Sequence, residues 1–265
     1  QQGAAPAPWA YGFDSPAPAP GTNPPAAGGA PGRAPAPGAQ APQAAPDTTQ
    51  HKLAGSDRSF TLAQVRDAYG PADWFPGDHP AMPEIVARGR RDAGIIACSL
   101  CHYPNGKGRP ENAGVSGLPV SYFIQTMLDF KNDQRKSADS RKANTNRMIA
   151  FAKAMTDEEI KAAATYFAAI KWTPWIRVVE ADTVPKTRIA GGMFLALEGA
   201  EAGKEPIGQR IIEMPEKTEE TEALRNPRSG FIAYVPPGSL KKGEALVNNG
   251  GAGKTTQCAV CHGTN

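Results

Sequence analysis

The chain has 265 residues and a formal charge of +3, which allows one or two domains and is too weakly basic overall to argue for a nucleic-acid partner. Hydrophobic residues make up 40% of it, enough to bury a core, yet no run reaches the roughly 18 consecutive apolar residues that a bilayer-spanning helix needs. A membrane span and a basic nucleic-acid arm are therefore excluded, and any electrostatic argument has to be local.

From Gln1 to about Gln50 the sequence is dominated by Pro, Ala, Gly and Gln, as in "SPAPAPGTNPPAAGGAPGRAPAPGAQAPQAAP". Such a segment buries too little apolar surface to offset its ordering entropy, so residues 1–56 read as a disordered arm with polyproline character. Trp9, Tyr11 and Phe13 in "PWAYGF" stand out within it as a short docking segment. The chain starts at Gln1 with neither a charged n-region nor an apolar h-region, so it is expected to be a mature form whose export peptide has been removed.

Residues 57–172 carry helical texture. Leu62, Val65 and Ala68 predict a short helix, followed by a Pro-rich loop. Pro83, Ile85, Val86, Ile95 and Ile96 predict one helix that delivers "CSLCH", Cys98 to His102, at its C-terminal end. "LPVSYFIQTMLDFKND" predicts a second, with Phe123, Ile124, Met127, Leu128 and Phe130 at spacings of three and four. A short third helix starts around Met148. Thr156 and Glu159 form a capping-box pattern opening a fourth, whose apolar stripe is Ile160, Ala163, Ala164, Phe167 and Ile170.

Residues 173–236 change texture: "WIRVVEADTVP", "GQRIIEMPE" and "GFIAYVPPG" are short β-branched or aromatic runs between Gly and Pro. With Glu213, Glu216, Glu219, Glu220 and Glu222 close together, this stretch reads as an acidic, irregular, β-containing connector. Residues 237–265 return to helical texture, and "SLKKGEALVNNGGAGKTTQCAVCH" parallels "PEIVARGRRDAGIIACSLCH" as a weak internal repeat.

All four cysteines and two of the four histidines fall in two copies of Cys-x-x-Cys-His, at Cys98, Cys101 and His102 and at Cys258, Cys261 and His262. This is the attachment pattern for c-type haem: two thiols at i and i+3 reach the two vinyl groups of a porphyrin, and the adjacent imidazole lies under the iron. A zinc site would bring its Cys pairs closer in sequence or add a His pair. A thioredoxin-like pair would open a helix after a strand, and structural disulfides would not explain a histidine after each pair. "GGAGKT" lacks the first glycine and preceding strand of a phosphate loop. His51 and His79 read as surface or loop residues.

Around the first motif the sequence from Asp57 to Trp172 resembles a class I c-type cytochrome domain, on "CSLCH", "GLPVSYFIQTMLDFKNDQRK" and "RMIAFAKAMTDEEIKAAATYFAAIKW". The resemblance implies a mainly α fold enclosing covalent haem c, with His102 and Met148 as axial ligands. It also implies a loop position for Met148 and a hydrogen bond from His102 Nδ1–H to a carbonyl between Arg109 and Val115. Met127 and Met155 are the competing sulfur ligands, both better placed for the core. The whole chain resembles the two-domain, dihaem branch, with the second domain expected to be incomplete after His262 and its distal ligand unassigned; Met193 and Met214 are not singled out by spacing.

The implied function is electron transfer between redox proteins in the periplasm, with no substrate chemistry. Two alternatives stand beside it, a cytochrome subunit of a membrane-associated dehydrogenase or oxidase complex and a dihaem peroxidase. The loop "KNDQRKSADSRKANTNR", with Lys131, Arg135, Lys136, Arg141, Lys142 and Arg147, reads either as a solvated loop or as a basic collar for a partner with an acidic docking face.

Overall fold

The computed structural model describes residues 48–253 and 255–263; most of the expected N-terminal arm, including Trp9, Tyr11 and Phe13, lies outside the described residues. The chain divides into two compact units. One comprises the chain up to Thr173 together with Glu219–Arg228, and the other comprises Pro174–Thr218 and Ser229 onward.

The first unit opens with a two-stranded antiparallel ladder, β1 (His51–Lys52) and β2 (Ser59–Phe60). Its helices are α1 (Leu62–Val65), α2 (Glu84–Ala87), α3 (Cys98–His102), α4 (Val120–Lys131), α5 (Ala143–Ala154) and α6 (Asp157–Ala168). Helix α6 starts where the capping pattern predicts. Thr156 Oγ1 accepts from the Glu159 amide at 3.2 Å, and Glu159 Oε2 accepts from the Thr156 amide at 2.8 Å. Three acidic residues in its first turn complement the helix dipole. Ile160, Ala163 and Phe167 then face a core that also holds Ile85, Val86, Ile95, Met127, Ala152 and Met155. Each large side chain buried there is worth roughly 1.5–3 kcal/mol.

Two predicted helices take other forms. The helix expected to run into Cys98 is broken: α2 ends at Ala87, and Gly89 adopts a left-handed φ of 67°. A Cβ at Gly89 would lie 2.2 Å from the Ile95 carbonyl oxygen, so the chain turns back on itself there, with Arg90 and Ile95 bridged, before α3 begins as a separate turn. Conversely, Met148 lies inside a 12-residue helix rather than in a loop. The alanines of "ANTNRMIAFAKA" favour helix, and Ala152 is buried against the core.

Helix α7 (Thr218–Glu222) leads into a strap, residues 219–228, that belongs to the first unit although its neighbours in sequence belong to the second. Leu224 enters a cluster with Leu53, Val65, Trp74 and Phe75, and Trp74 Nε1 donates to the Leu224 carbonyl at 2.8 Å. Asn105 Nδ2 donates to the Pro227 carbonyl at 2.8 Å. Arg228 pairs with both oxygens of Asp78 at 2.6 and 2.7 Å, its guanidinium 3.7 Å from the Phe75 ring centroid.

The second unit is built largely on strands: β3 (Ile176–Glu180), β4 (Thr183–Pro185), β5 (Thr187–Ala190), β6 (Met193–Ala196), β7 (Lys204–Pro206), β8 (Ile212–Pro215) and β9 (Phe231–Val235). Strand β9 pairs parallel with β3 and antiparallel with β8, while β5 and β6 form a hairpin over Gly191 and Gly192. Helices α8 (Ser239–Gly253), which turns left-handed at Gly250–Ala252, and α9 (Ala259–His262) follow. A mainly α description therefore fits the first unit and is too narrow for the chain. No helix among the described residues is long and apolar enough to cross a membrane.

His79 departs from the surface role expected of it, since its side chain is only 4% exposed. Nδ1 lies 2.8 Å from the Pro80 carbonyl oxygen and Nε2 lies 3.2 Å from Asp73 Oδ1. Both neighbours accept, an arrangement that favours the doubly protonated, charged ring. Burial opposes that charge, but the Asp73 hydrogen bond, the Pro80 carbonyl and the Asp73 and Asp78 carboxylates outweigh it and raise the pKa. A raised folded pKa gives stabilisation that is complete below the ordinary imidazole value of about 6.5 and is lost as pH rises through the folded value. Denaturant melts taken from about pH 6 to about pH 9 should show the wild-type midpoint falling with pH and the His79→Gln midpoint lower at the acid end and flatter throughout.

Candidate functional site

Helix α3 places Cys98, Cys101 and His102 on the wall of a mostly apolar cavity of about 520 Å³. Helix α4 contributes Phe123, Met127 and Phe130, and α6 contributes Ala163 and Phe167. From α5 and its C-cap come Asn144, Met148, Phe151 and Met155, whose spacing of four, three and four puts them on one helical face. The start of α5 is tied to the loop after α3, because Asn144 Nδ2 donates to the Glu111 carbonyl at 3.2 Å and to Asn112 Oδ1 at 2.9 Å.

His102 Nδ1 lies 2.8 Å from the Ala113 carbonyl oxygen, inside the loop where the sequence places this bond. A carbonyl only accepts, so Nδ1 carries the hydrogen and Nε2 keeps its lone pair. Burial lowers the His102 pKa, against the pull of that hydrogen bond, and holds the ring neutral. The Phe167 ring meets it edge-on at 6.3 Å between centroids, and Phe123 stacks on Phe167 at 6.0 Å. Ring tautomer and ring direction are thus both fixed.

Burial pushes the Cys98 thiol up to about 12, helped by the neighbouring Cys101, and Cys98 Sγ donates to the Ile85 carbonyl at 3.3 Å. Burial raises Cys101 as well, with Arg225, Arg147 and Arg109 pulling the other way. Both thiols are thus held above the ordinary cysteine range. Among the described residues no three His, Cys, Asp or Glu side chains cluster closely enough to hold a metal ion by themselves.

The cavity brings Met148 together with the first motif, and brings Met127 and Met155 there too. Met127 and Met155 are 4% and 5% exposed and packed into the core, while Met148 is only partly buried against it. Cys258, Cys261 and His262 are exposed on and beside α9 in the second unit. Met193 and Met214 are buried in that unit and far from exposed.

Sequence reasoning missed a charged wall behind α3. Arg109, itself buried, pairs with the buried Glu111 and, at 2.5 Å, with Glu222 of the strap. Arg225 of the strap donates to the Leu100 carbonyl, between the two cysteines. No local pattern in the sequence marks Arg225, because its partner lies 125 positions away. Four basic side chains of the expected collar, Arg135, Lys136, Lys142 and Arg147, border the cavity. Lys131 and Arg141 are instead committed to Asp157 and Asp139.

No protein-family model matches the chain, and no curated protein does. Among solved structures, 33% of the chain is similar to thiosulfate dehydrogenase TsdBA from Marichromatium purpuratum in its as-isolated form, at 26% identity, a TM-score of 0.28 and 17% of that chain. A further similarity, again over 33% of this chain, is to reduced recombinant cytochrome c4 from Pseudomonas stutzeri, at 24% identity, a TM-score of 0.30 and 45% of that chain. The matched part is thus under half of either structure's own length.

The Ala113 carbonyl reaches His102 only because Gly108 has no side chain. Gly108 has a φ of 67°, its amide donates to the His102 carbonyl at 2.9 Å, and a Cβ would lie 2.7 Å from the Ala113 oxygen. Gly108→Ala should cost on the order of 2 kcal/mol or more from backbone strain and the displaced loop. It should also release the His102 ring, seen as loss of the slowly exchanging Nδ1 proton in NMR spectra; a protected proton in a folded variant would contradict this account.

Proposed function

We propose that the first unit holds covalently attached haem c and carries single electrons between redox proteins in the periplasm. One observation carries the reading: Cys98, Cys101 and His102 border a single apolar cavity to which Met148 also contributes. Its volume of about 520 Å³ lies within the ~300–1,000 Å³ typical of cofactor pockets. The donor chemistry fits the group, with two thiols for thioether bonds, a neutral imidazole presenting Nε2, and a thioether from Met148. Bound there, haem supplies a one-electron Fe(III)/Fe(II) couple whose ferrous form the soft methionine sulfur favours.

The chain's own residues do the rest. His102 is held in one tautomer by Ala113 and against rotation by Phe167. Phe123, Phe151 and Met127 give the cavity apolar walls, which would lower the dielectric around a bound group and strengthen the fixed charges beside it. With His102 on α3 and Met148 on α5 both offered to the iron, no coordination position would be left for a substrate, which supports a carrier rather than an enzyme.

A second attachment point at Cys258, Cys261 and His262, and with it a dihaem organisation, is proposed on a shared local device. Gly89 turns left-handed and abuts the Ile95 carbonyl shortly before Cys98; Gly250, at φ 69°, abuts the Thr255 carbonyl shortly before Cys258, with a would-be Cβ only 2.0 Å away. The partner for the first unit is proposed to present an acidic face. Among the described residues Arg135, Lys136, Lys142 and Arg147 have no carboxylate in ion-pair reach, and all but Lys142 are exposed. Unpaired surface cations beside a buried redox group steer a negative surface to it.

Two experiments test this. In the haem-loaded chain, Met148→Ala should abolish a thioether-to-iron charge-transfer band that Met127→Leu and Met155→Leu leave in place; an unchanged band in Met148→Ala would remove that residue as ligand. Neutralising Lys136, Lys142 and Arg147 together should slow reduction by an acidic redox protein severalfold at low salt and flatten its ionic-strength dependence, in a stopped-flow assay. Equal rates and slopes for variant and wild type would discard the docking face.

A further inference from the structure

Arg225 lies on the strap, reaches the first motif from across the sequence, and takes no part in the roles assigned above. Its Nη2 donates to the carbonyl of Leu100, the residue just before Cys101, and its guanidinium stands 5.7 Å from the Tyr103 ring centroid. Among the described residues it has no carboxylate in ion-pair reach. The two nearby carboxylates, Glu111 and Glu222, are both engaged by Arg109. Tyr103 and Arg225 each hold a positive φ, 61° and 48°, which is unfavourable for side-chain-bearing residues and marks a contact imposed by the surrounding fold.

A partly buried guanidinium keeps its charge, and without a carboxylate its burial is costly. The hydrogen bond to Leu100 does not require that charge, since a neutral amide donates equally well to a carbonyl. Held on the Leu100 carbonyl, the guanidinium stands one residue from Cys101, and a cation in a low-dielectric wall favours negative charge beside it. The same field disfavours added positive charge on whatever Cys101 carries.

We propose that Arg225 is a potential-setting residue: a fixed cation, delivered by the strap to the wall behind Leu100 and Cys101, that raises the reduction potential of the haem attached to the first motif. The proposal rests on the haem reading. Oxidation leaves the iron one positive charge richer as one electron departs to the redox partner, so a nearby fixed cation destabilises the oxidised form. Glu222 on the same strap opposes it, and Arg109 largely neutralises that anion.

The test uses the full, haem-loaded chain with potentiometric titration of the optical component that depends on Met148. Arg225→Gln keeps an amide donor for Leu100 and loses the charge, and should shift the midpoint potential downward. Arg225→Lys keeps the charge and should stay close to wild type. Glu222→Gln removes the opposing anion and should shift the potential upward, so the two neutralisations move it in opposite directions, whereas a general loosening of the strap moves both the same way. The spectrum of the reduced form should be unchanged in all three, showing that axial ligation is intact. A wild-type potential in Arg225→Gln, equal shifts in the Lys and Gln variants, or same-direction shifts in Arg225→Gln and Glu222→Gln would each overturn the proposal. Should Arg225→Gln fail to fold, the sign of the Glu222→Gln shift still decides, a downward or absent shift counting against it. Absence of covalently bound haem in the wild-type chain would overturn the haem reading itself, which is a separate measurement.

Discussion

The hydrogen bond from His102 Nδ1–H to the Ala113 carbonyl, 2.8 Å long, spends one imidazole nitrogen on the protein and leaves the other for a ligand. To make it, the chain must fold back within a few residues of α3, which requires Gly108 in a left-handed conformation pressed against the accepting carbonyl. The returning loop then has to be held. Val115 and Ser116 amides donate to the Gly106 carbonyl at 2.7 and 3.1 Å, and Asn144 at the start of α5 grips the Glu111 carbonyl and Asn112 side chain. The position of α5, and so of Met148, is thereby coupled to the same loop that orients the histidine. The two axial candidates are connected through backbone polar groups that would otherwise be orphaned.

Behind that loop, the strap solves a different problem. The turn from Cys98 to His102 is only five residues long, too short to be stable by its own hydrogen bonds. Contacts from residues 219–228 brace it from outside: Arg225 on Leu100, Glu222 on Arg109, and Pro227 on Asn105. Closing a loop of this length costs only modestly more entropy than closing a short one, because the cost grows with the logarithm of length. Burial of Trp74 and Leu224 in one cluster, with the indole N–H satisfied by the Leu224 carbonyl, supplies the apolar gain that offsets it. Once anchored there, the strap can hold charged groups where local sequence has none.

How much of this could be read in the sequence follows from the range of the interactions. Features fixed within about four residues were legible: the Thr156–Glu159 capping box, the stripes of α4 and α6, and the short helical turns at the two Cys-x-x-Cys-His motifs. The β5–β6 hairpin also had a signal, the Gly191–Gly192 pair between two short apolar runs, which the sequence reading did not single out. The break at Gly89 was hidden because apolar residues on both sides keep a helical rhythm, and only the close approach of Ile95 makes the glycine necessary. His79 looked like a loop histidine because its burial depends on Asp73 and on the Tyr166 ring 6.2 Å away, in elements distant from one another in sequence or register. The strap left no trace at all, since acidic residues such as Glu219, Glu220 and Glu222 look like a solvated connector until Arg109 is placed beside one of them.

The two Cys-x-x-Cys-His turns make the same point about chemistry. Each ends in a short helical turn, Cys98–His102 and Ala259–His262, after an upstream glycine that abuts a carbonyl, so the backbone device that presents the thiols is local and repeats. Their surroundings differ: Cys98 and Cys101 border an apolar cavity, with Arg225 held on the Leu100 carbonyl between them, whereas Cys258 and Cys261 are exposed. On the proposed haem reading, attachment would belong to the motif, but potential and ligation would belong to the walls, and walls are assembled from residues far away in the chain. An identical turn exposed to water would feel neither the low dielectric nor the fixed charges, and a redox group upon it would respond to solvent instead of to the fold.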